Sequence, residues 1–215
     1  MRRITIFLVI LWLFSYNSEM PAPLRIPHTL LSDAEWAALS PYVLRASRGS
    51  RGRPCDHRAR FDAIFRVAAT DGPWHELPES HGKPDTVSRY FRRLTHQGLW
   101  EHLLLALAAA PKGHPLKNLL GPICRAARRA IRLRGFRIIL LARRLELKRA
   151  LPGPPWMCPD PDLSEKLFDL QLARLPTIRG WPKQRAFTWL RAMRKCLTVV
   201  AGRRYIPRAL KACWP

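Results

Sequence analysis

Acidic residues are scarce in this chain: 15 Asp and Glu stand against 38 Lys and Arg, a formal net charge of +23 in 215 residues. The shortage is local. Residues 1–31 hold three Arg and one Glu, residues 32–110 hold eleven basic and nine acidic side chains, and residues 111–215 hold 24 basic and five acidic. A charge of this size favours a polyanionic partner, nucleic acid or an anionic membrane surface, and says nothing about fold. Cysteine is sparse too. The five (Cys55, Cys124, Cys158, Cys196, Cys213) are odd in number and widely spaced, with no CxxC pair. That argues against a disulfide framework and fits reduced, cytoplasmic thiols. Cys55 and His57 are the one close metal-type pair, and two ligands without a second pair make a poor zinc site. No metal and no cofactor are expected.

Long apolar runs are also lacking. Ile4 to Phe14, behind Arg2 and Arg3, is shorter than the roughly 20 residues that cross a bilayer. It begins as a secretory signal does, yet no small-x-small cleavage site follows it. Residues 1–30 are therefore read as an apolar, irregular leader. Met20 is an alternative start, and a signal or anchor is the competing reading.

What is present is helical periodicity. Ser32 and Glu35 have the spacing of a capping box, and Trp36, Leu39 and Val43 mark one apolar face. Pro41 is expected to stop or kink that helix. Arg45 to Arg53 is a Gly/Ser/Arg loop ended by Pro54. It is either a basic arm that meets DNA phosphate or a minor groove, or a solvated linker. Asp56 is placed to cap a second helix with Phe61, Ile64, Phe65 and Ala68 inward. Trp74 to Glu79 reads as a short turn or helix, followed by a turn at Gly82, where a left-handed conformation is expected.

Asp85 or Thr86 opens a helix to about Gln97. Val87, Tyr90, Phe91 and Leu94 are spaced to face a core, and Ser88, Arg89, Arg92, Arg93 and His96 to face away. A short helix, a glycine turn and a helix with a basic outer face form a helix-turn-helix pattern, whose second helix enters the major groove. Arginine suits that position because its fork pairs with guanine O6 and N7. Gly98 ends the helix, and Leu99, Trp100, Leu103, Leu104 and Leu107 form the apolar stripe of a closing one.

The ordered set Leu31-Ser32-Asp33-Ala34-Glu35-Trp36, Gly52-Arg53-Pro54, Asp56-His57-Arg58, Thr70-Asp71-Gly72-Pro73-Trp74, Leu77-Pro78-Glu79, Thr86-Val87, Tyr90-Phe91-Arg92-Arg93 and Gly98-Leu99-Trp100-Glu101 resembles the N-terminal helix-turn-helix domain of bacterial insertion-sequence transposases. In that group an RNase H-like domain follows, whose three acidic residues hold two divalent metals for strand cleavage and transfer. Here the resemblance stops near Pro111. The later acidic residues are Glu146, Asp160, Asp162, Glu165 and Asp169. None lies in an apolar strand, and Asp162 and Glu165 have the spacing of a helix cap and its partner. No catalytic residue is carried over, and no transposition is expected from this chain alone. An enzyme would require a frameshift that restores a catalytic domain.

Past residue 111, Ile123 to about Arg149 reads as helix interrupted at Gly135. Asp162 to Arg174 is a second, with Leu163, Leu167 and Leu170 aligned, and Lys183 to Ala201 a third, with Phe187, Leu190, Met193 and Leu197 inward. This stretch has three open readings: added phosphate contacts, an amphipathic surface for anionic membranes, or a remnant replacing a lost domain. The expectation is thus an all-α protein: a leader over 1–30, a helix-turn-helix head over 31–111, and a loosely packed basic helical extension over 112–215. Its expected partner is double-stranded DNA, contacted by Ser88, Arg89, Arg92, Arg93 and His96 with Arg48, Arg51 and Arg53. A homo-oligomer is left open, a membrane is disfavoured, and the location is the bacterial cytoplasm at the nucleoid. A basic membrane-associated protein and a nonspecific nucleic-acid binder are the alternatives.

Overall fold

A computed structural model describes residues 28–47 and 55–203, together with 206, 207, 210 and 214. Among the described residues there are nine α-helices and no strand, so the all-α expectation holds.

Helix α1 (Asp33–Ser47) starts on the expected capping box: the Ser32 amide donates to Glu35 Oε2 at 3.0 Å and the Glu35 amide to Ser32 Oγ at 3.3 Å. It does not stop at Pro41 but runs on to Ser47. Proline removes the donor that would serve the Ala37 carbonyl; the Ser40 hydroxyl donates to that carbonyl instead, at 3.4 Å. Helix α2 (His57–Thr70) is capped by Asp56, which accepts from the Ala59 amide at 3.0 Å. Two short 3-10 turns, Trp74–Glu76 and Glu79–His81, lead to α3 (Pro84–His96). Gly82, just before α3, has φ +91° and ψ 174°, positive as expected but in extended, glycine-only backbone rather than the left-handed helical region. Proline at the first position starts α3 a residue earlier than expected. Gly98, at φ +76°, turns the chain into α4 (Leu99–Ala109).

Trp100 sits at the centre of the head and is wholly buried. Its ring centroid lies 6.1 Å from that of Phe61 on α2 and 5.4 Å from that of Phe91 on α3. A buried indole N–H needs an acceptor. It donates to Thr95 Oγ1 at 2.9 Å, and that hydroxyl donates to the Phe91 carbonyl at 2.8 Å.

The chain continues through α5 (Pro115–Asn118), α6 (Leu120–Arg134) and α7 (Phe136–Arg144). Gly121 and Pro122 lie in the first turn of α6, where proline lacks no needed donor. Helix α6 packs against α2, α3 and α4. Ala126, Ala127 and Ala130 present no accessible surface. Small side chains on that face let the helix axes approach closely. Residues from Leu31 to Leu151 form one continuous apolar core, so the packing is not loose over the first part of the basic extension.

The packing does change after it. Helices α8 (Pro161–Ile178) and α9 (Lys183–Val200) pair as a hairpin in which Ile178 alone is buried. The Asp160 amide donates to the Val200 carbonyl at 2.9 Å, which makes the pair antiparallel and sets its register. Gly202 closes the hairpin onto the preceding turn: a Cβ there would stand 2.5 Å from the Pro159 nitrogen. The α8 cap is Asp160, accepting from the Leu163 amide at 3.1 Å. Asp162, expected to be the cap, pairs with Arg144 at 2.8 Å. Phe187 and Leu190, expected inward, are 60% and 44% exposed, and so are Leu163 and Leu170 at 44% and 46%. The half-buried seam of α9 consists of Ala186, Trp189, Met193, Leu197 and Val200. It keeps the second half of the expected run, while Ala186 and Trp189 take the places of Phe187 and Leu190.

Candidate nucleic-acid interface

Helix α3 divides sharply. Val87, Tyr90, Phe91 and Leu94 are buried, as expected, while Arg89, Arg92, Arg93 and His96 are exposed on the opposite side. Ser88 departs from the expected face: it is buried, at 6% exposure. Arg48, Arg51 and Arg53 lie outside the described residues.

The elements below α3 hold it at a fixed rotation. Trp74, from the first 3-10 turn, packs on Phe91 with 5.2 Å between ring centroids. Tyr90 inserts between α2 and α3, its ring edge-on to Phe61 at 6.4 Å. Its hydroxyl shares a 2.6 Å hydrogen bond with His57 Nδ1, whose ring also lies 3.5 Å from Cys55 Sγ. Burial raises the Tyr90 phenol to about 12, so it stays protonated. Burial, then the charges of Arg60 and Arg93, lower His57 below its usual value. A protonated phenol therefore donates to a neutral imidazole. Cys55 and His57 thus meet, but their third neighbour is a phenol rather than another metal ligand.

Two guanidinium groups gather on the same ring. Arg60 of α2 lies 5.0 Å and Arg93 of α3 lies 5.4 Å from the Tyr90 centroid. Cation–π contact holds an arginine without consuming its hydrogen-bond donors, so both keep forks available for phosphate or base edges. Helical spacing does not single out Arg60, because on α2 it falls next to the apolar stripe. Only the tertiary pairing with Tyr90 brings it beside Arg93.

Many arginines beyond residue 111 have other work. Arg129 donates to the Gly72 carbonyl at 2.8 Å and lies 4.9 Å from the Trp74 centroid. Arg134 pairs with Glu101 at 2.7 Å. Arg143 donates to the Pro159 and Cys158 carbonyls, both at 2.8 Å, and pairs with Asp160 at 2.9 Å. These contacts tie α6 and α7 to the head and to the base of the hairpin.

Two of the five acidic residues of that half are similarly engaged. Asp160 caps α8 and meets Arg143, and Asp162 meets Arg144. Among the described residues no helix is long and apolar enough to cross a membrane.

Residues 31–104 match a family described as "Putative transposase of IS4/5 family". A 78-residue stretch is 31% identical to the uncharacterized protein y4sN of Sinorhizobium fredii (strain NBRC 101917 / NGR234). That match covers 36% of this chain and spans 62% of the length of the relative. No solved structure matches the chain.

Proposed function

From the match of residues 31–104 to a putative IS4/5 transposase family, we propose that this protein reads double-stranded DNA of its own element, with α3 as the helix that enters the major groove. The supporting observation is the exposed basic face of α3, Arg89, Arg92 and Arg93, standing on a helix whose other side is locked into the core by Tyr90, Phe91 and Leu94. A reading helix has to be rigid, because base contacts discriminate only when donors are held in place.

The reading unit is residues 31–111, with α6 as its brace. Arg60 joins the basic face and contacts phosphate, since the start of α2 lies beside the outer surface of α3. His96 and the Arg48 to Arg53 loop add backbone contacts. Ser88 acts only through its neighbours, given its burial. Strand cleavage is not part of the proposal, because Asp160 and Asp162 serve as a cap and as ion-pair partners. The cytoplasm, at the nucleoid, is the location this role requires.

Replacing Arg89, Arg92 and Arg93 together by alanine tests the assignment. All three are exposed, so the fold is expected to persist. Preference for element DNA over a scrambled duplex should vanish, and the slope of log affinity against log salt should fall by about 0.9 for each lost phosphate contact. An unchanged preference would remove α3 from the role.

A further inference from the structure

The α8–α9 hairpin leaves uncovered an apolar surface that is too ordered to be incidental. At about 100° per residue, Phe168, Leu172 and Leu175 lie clockwise of the α8 seam at Leu167, Gln171 and Ile178. Phe187 and Leu190 lie clockwise of the α9 seam at Ala186, Trp189 and Met193. Because the helices are antiparallel, the clockwise flanks of both open on the same side. The five side chains are 54%, 50%, 46%, 60% and 44% exposed, and together form one patch along the hairpin.

From this juxtaposition we propose that the patch is an isologous dimer interface, on which the same hairpin of a second copy of this chain sits to complete a four-helix bundle. A helix pair that buries only its seam leaves an apolar arc wider than one neighbour can cover, and a second pair supplies the missing layer. Charge selects the occupant. Helix α9 carries five basic residues and no acidic one, whereas α8 carries three acidic and two basic. The Asp160–Val200 bond places Glu165 and Asp169 at the heights of Arg194 and Arg191. A two-fold axis parallel to the helices lays α8 of one copy on α9 of the other and keeps those heights. Glu165 and Asp169 then face Arg194 and Arg191 across the rim on both sides. An anionic membrane would meet the basic residues of α9 favourably but would be repelled by this acidic rim of α8.

The proposal does not depend on DNA binding and is tested without DNA. Sedimentation equilibrium of the full chain at moderate salt should give twice the 24.8 kDa chain mass. Leu172→Glu with Leu190→Glu, both at exposed positions, should weaken association at least tenfold with an unchanged circular dichroism spectrum. Arg194→Glu should weaken it as well, and Glu165→Arg added to that variant should restore it. A monomer at every concentration would overturn the proposal, as would a dimer indifferent to the leucine pair. Wild-type chain that sediments as a monomer yet binds anionic vesicles through Leu172 and Leu190 would overturn it in favour of a lipid surface.

Discussion

Tyr90 contributes to the core and to the candidate interface at once. Its ring fills the space between α2 and α3, it carries two guanidinium groups, and its hydroxyl is bound to a neutral His57. The folded protein holds the His57 imidazole below its ordinary value, first through burial and then through Arg60 and Arg93; His28 is lowered in the same sense by burial and by Arg66. With both folded values depressed, the unfolded chain binds more protons between those values and about pH 6.5. Stability is therefore complete above about pH 6.5 and is lost as pH falls toward the folded values. Urea midpoints should fall between about pH 7.5 and pH 5.5, a range in which ordinary carboxylates stay ionised. His57→Asn should flatten that fall, and an equally steep fall in the variant would move the effect elsewhere. Trp100 matters more to stability than either histidine. Trp100→Ala should cost about 3–5 kcal/mol, because it opens a cavity and leaves Thr95 without its donor. Denaturant unfolding of the variant checks this, and a midpoint close to wild type would mean that the indole is not the centre of the core.

At the scale of elements, α6 decides whether the basic half belongs to the fold. Its alanine face is fully buried and the helix packs on α2 and α4, so a larger side chain there has to displace its neighbours. Ala127→Leu should destabilise the protein by about 1–3 kcal/mol, read as a lowered urea midpoint; an unchanged midpoint would mean that α6 is not docked as described. The helices of the head are legible from caps and apolar spacing, although α2, with Phe61 to Phe65 all buried, buries more than the one stripe its spacing marks. Ser32–Glu35 and Asp56 behave as their positions predict. Pro41 misleads, since the compensating donor from Ser40 is a local detail that proline rules do not contain. Helix α6 is legible as a helix but not as a core element. Its face is built from alanine, which carries little hydrophobic signal, and arginines such as Arg129 and Arg134 look solvent-directed until their partners Gly72 and Glu101 arrive from the head. The hairpin seam is hard to read for a related reason. Apolar residues cover so wide an arc of α9 that periodicity alone does not say which of them meet α8.

Over the whole molecule, the net charge of +23 is not one uniform coat. Arg129 and Arg134 brace the head and Arg143 holds the base of the hairpin, while the basic face of α3 is left outside. Charge counting by itself therefore overstates how many cations the second half leaves free for a polyanion. The exposed arginines of α3, by contrast, are the ones whose loss should matter for sequence. Binding of the wild-type chain to duplex DNA flanking its own gene, against a scrambled duplex and across a salt series, separates these two kinds of contact. If α3 reads a site, affinity for both duplexes falls with salt while the preference for the native flank persists, because base contacts rather than phosphates discriminate. Equal affinity for the two duplexes at every salt concentration, lost together as salt rises, would contradict a site-reading α3 and leave a polycation with no site to read.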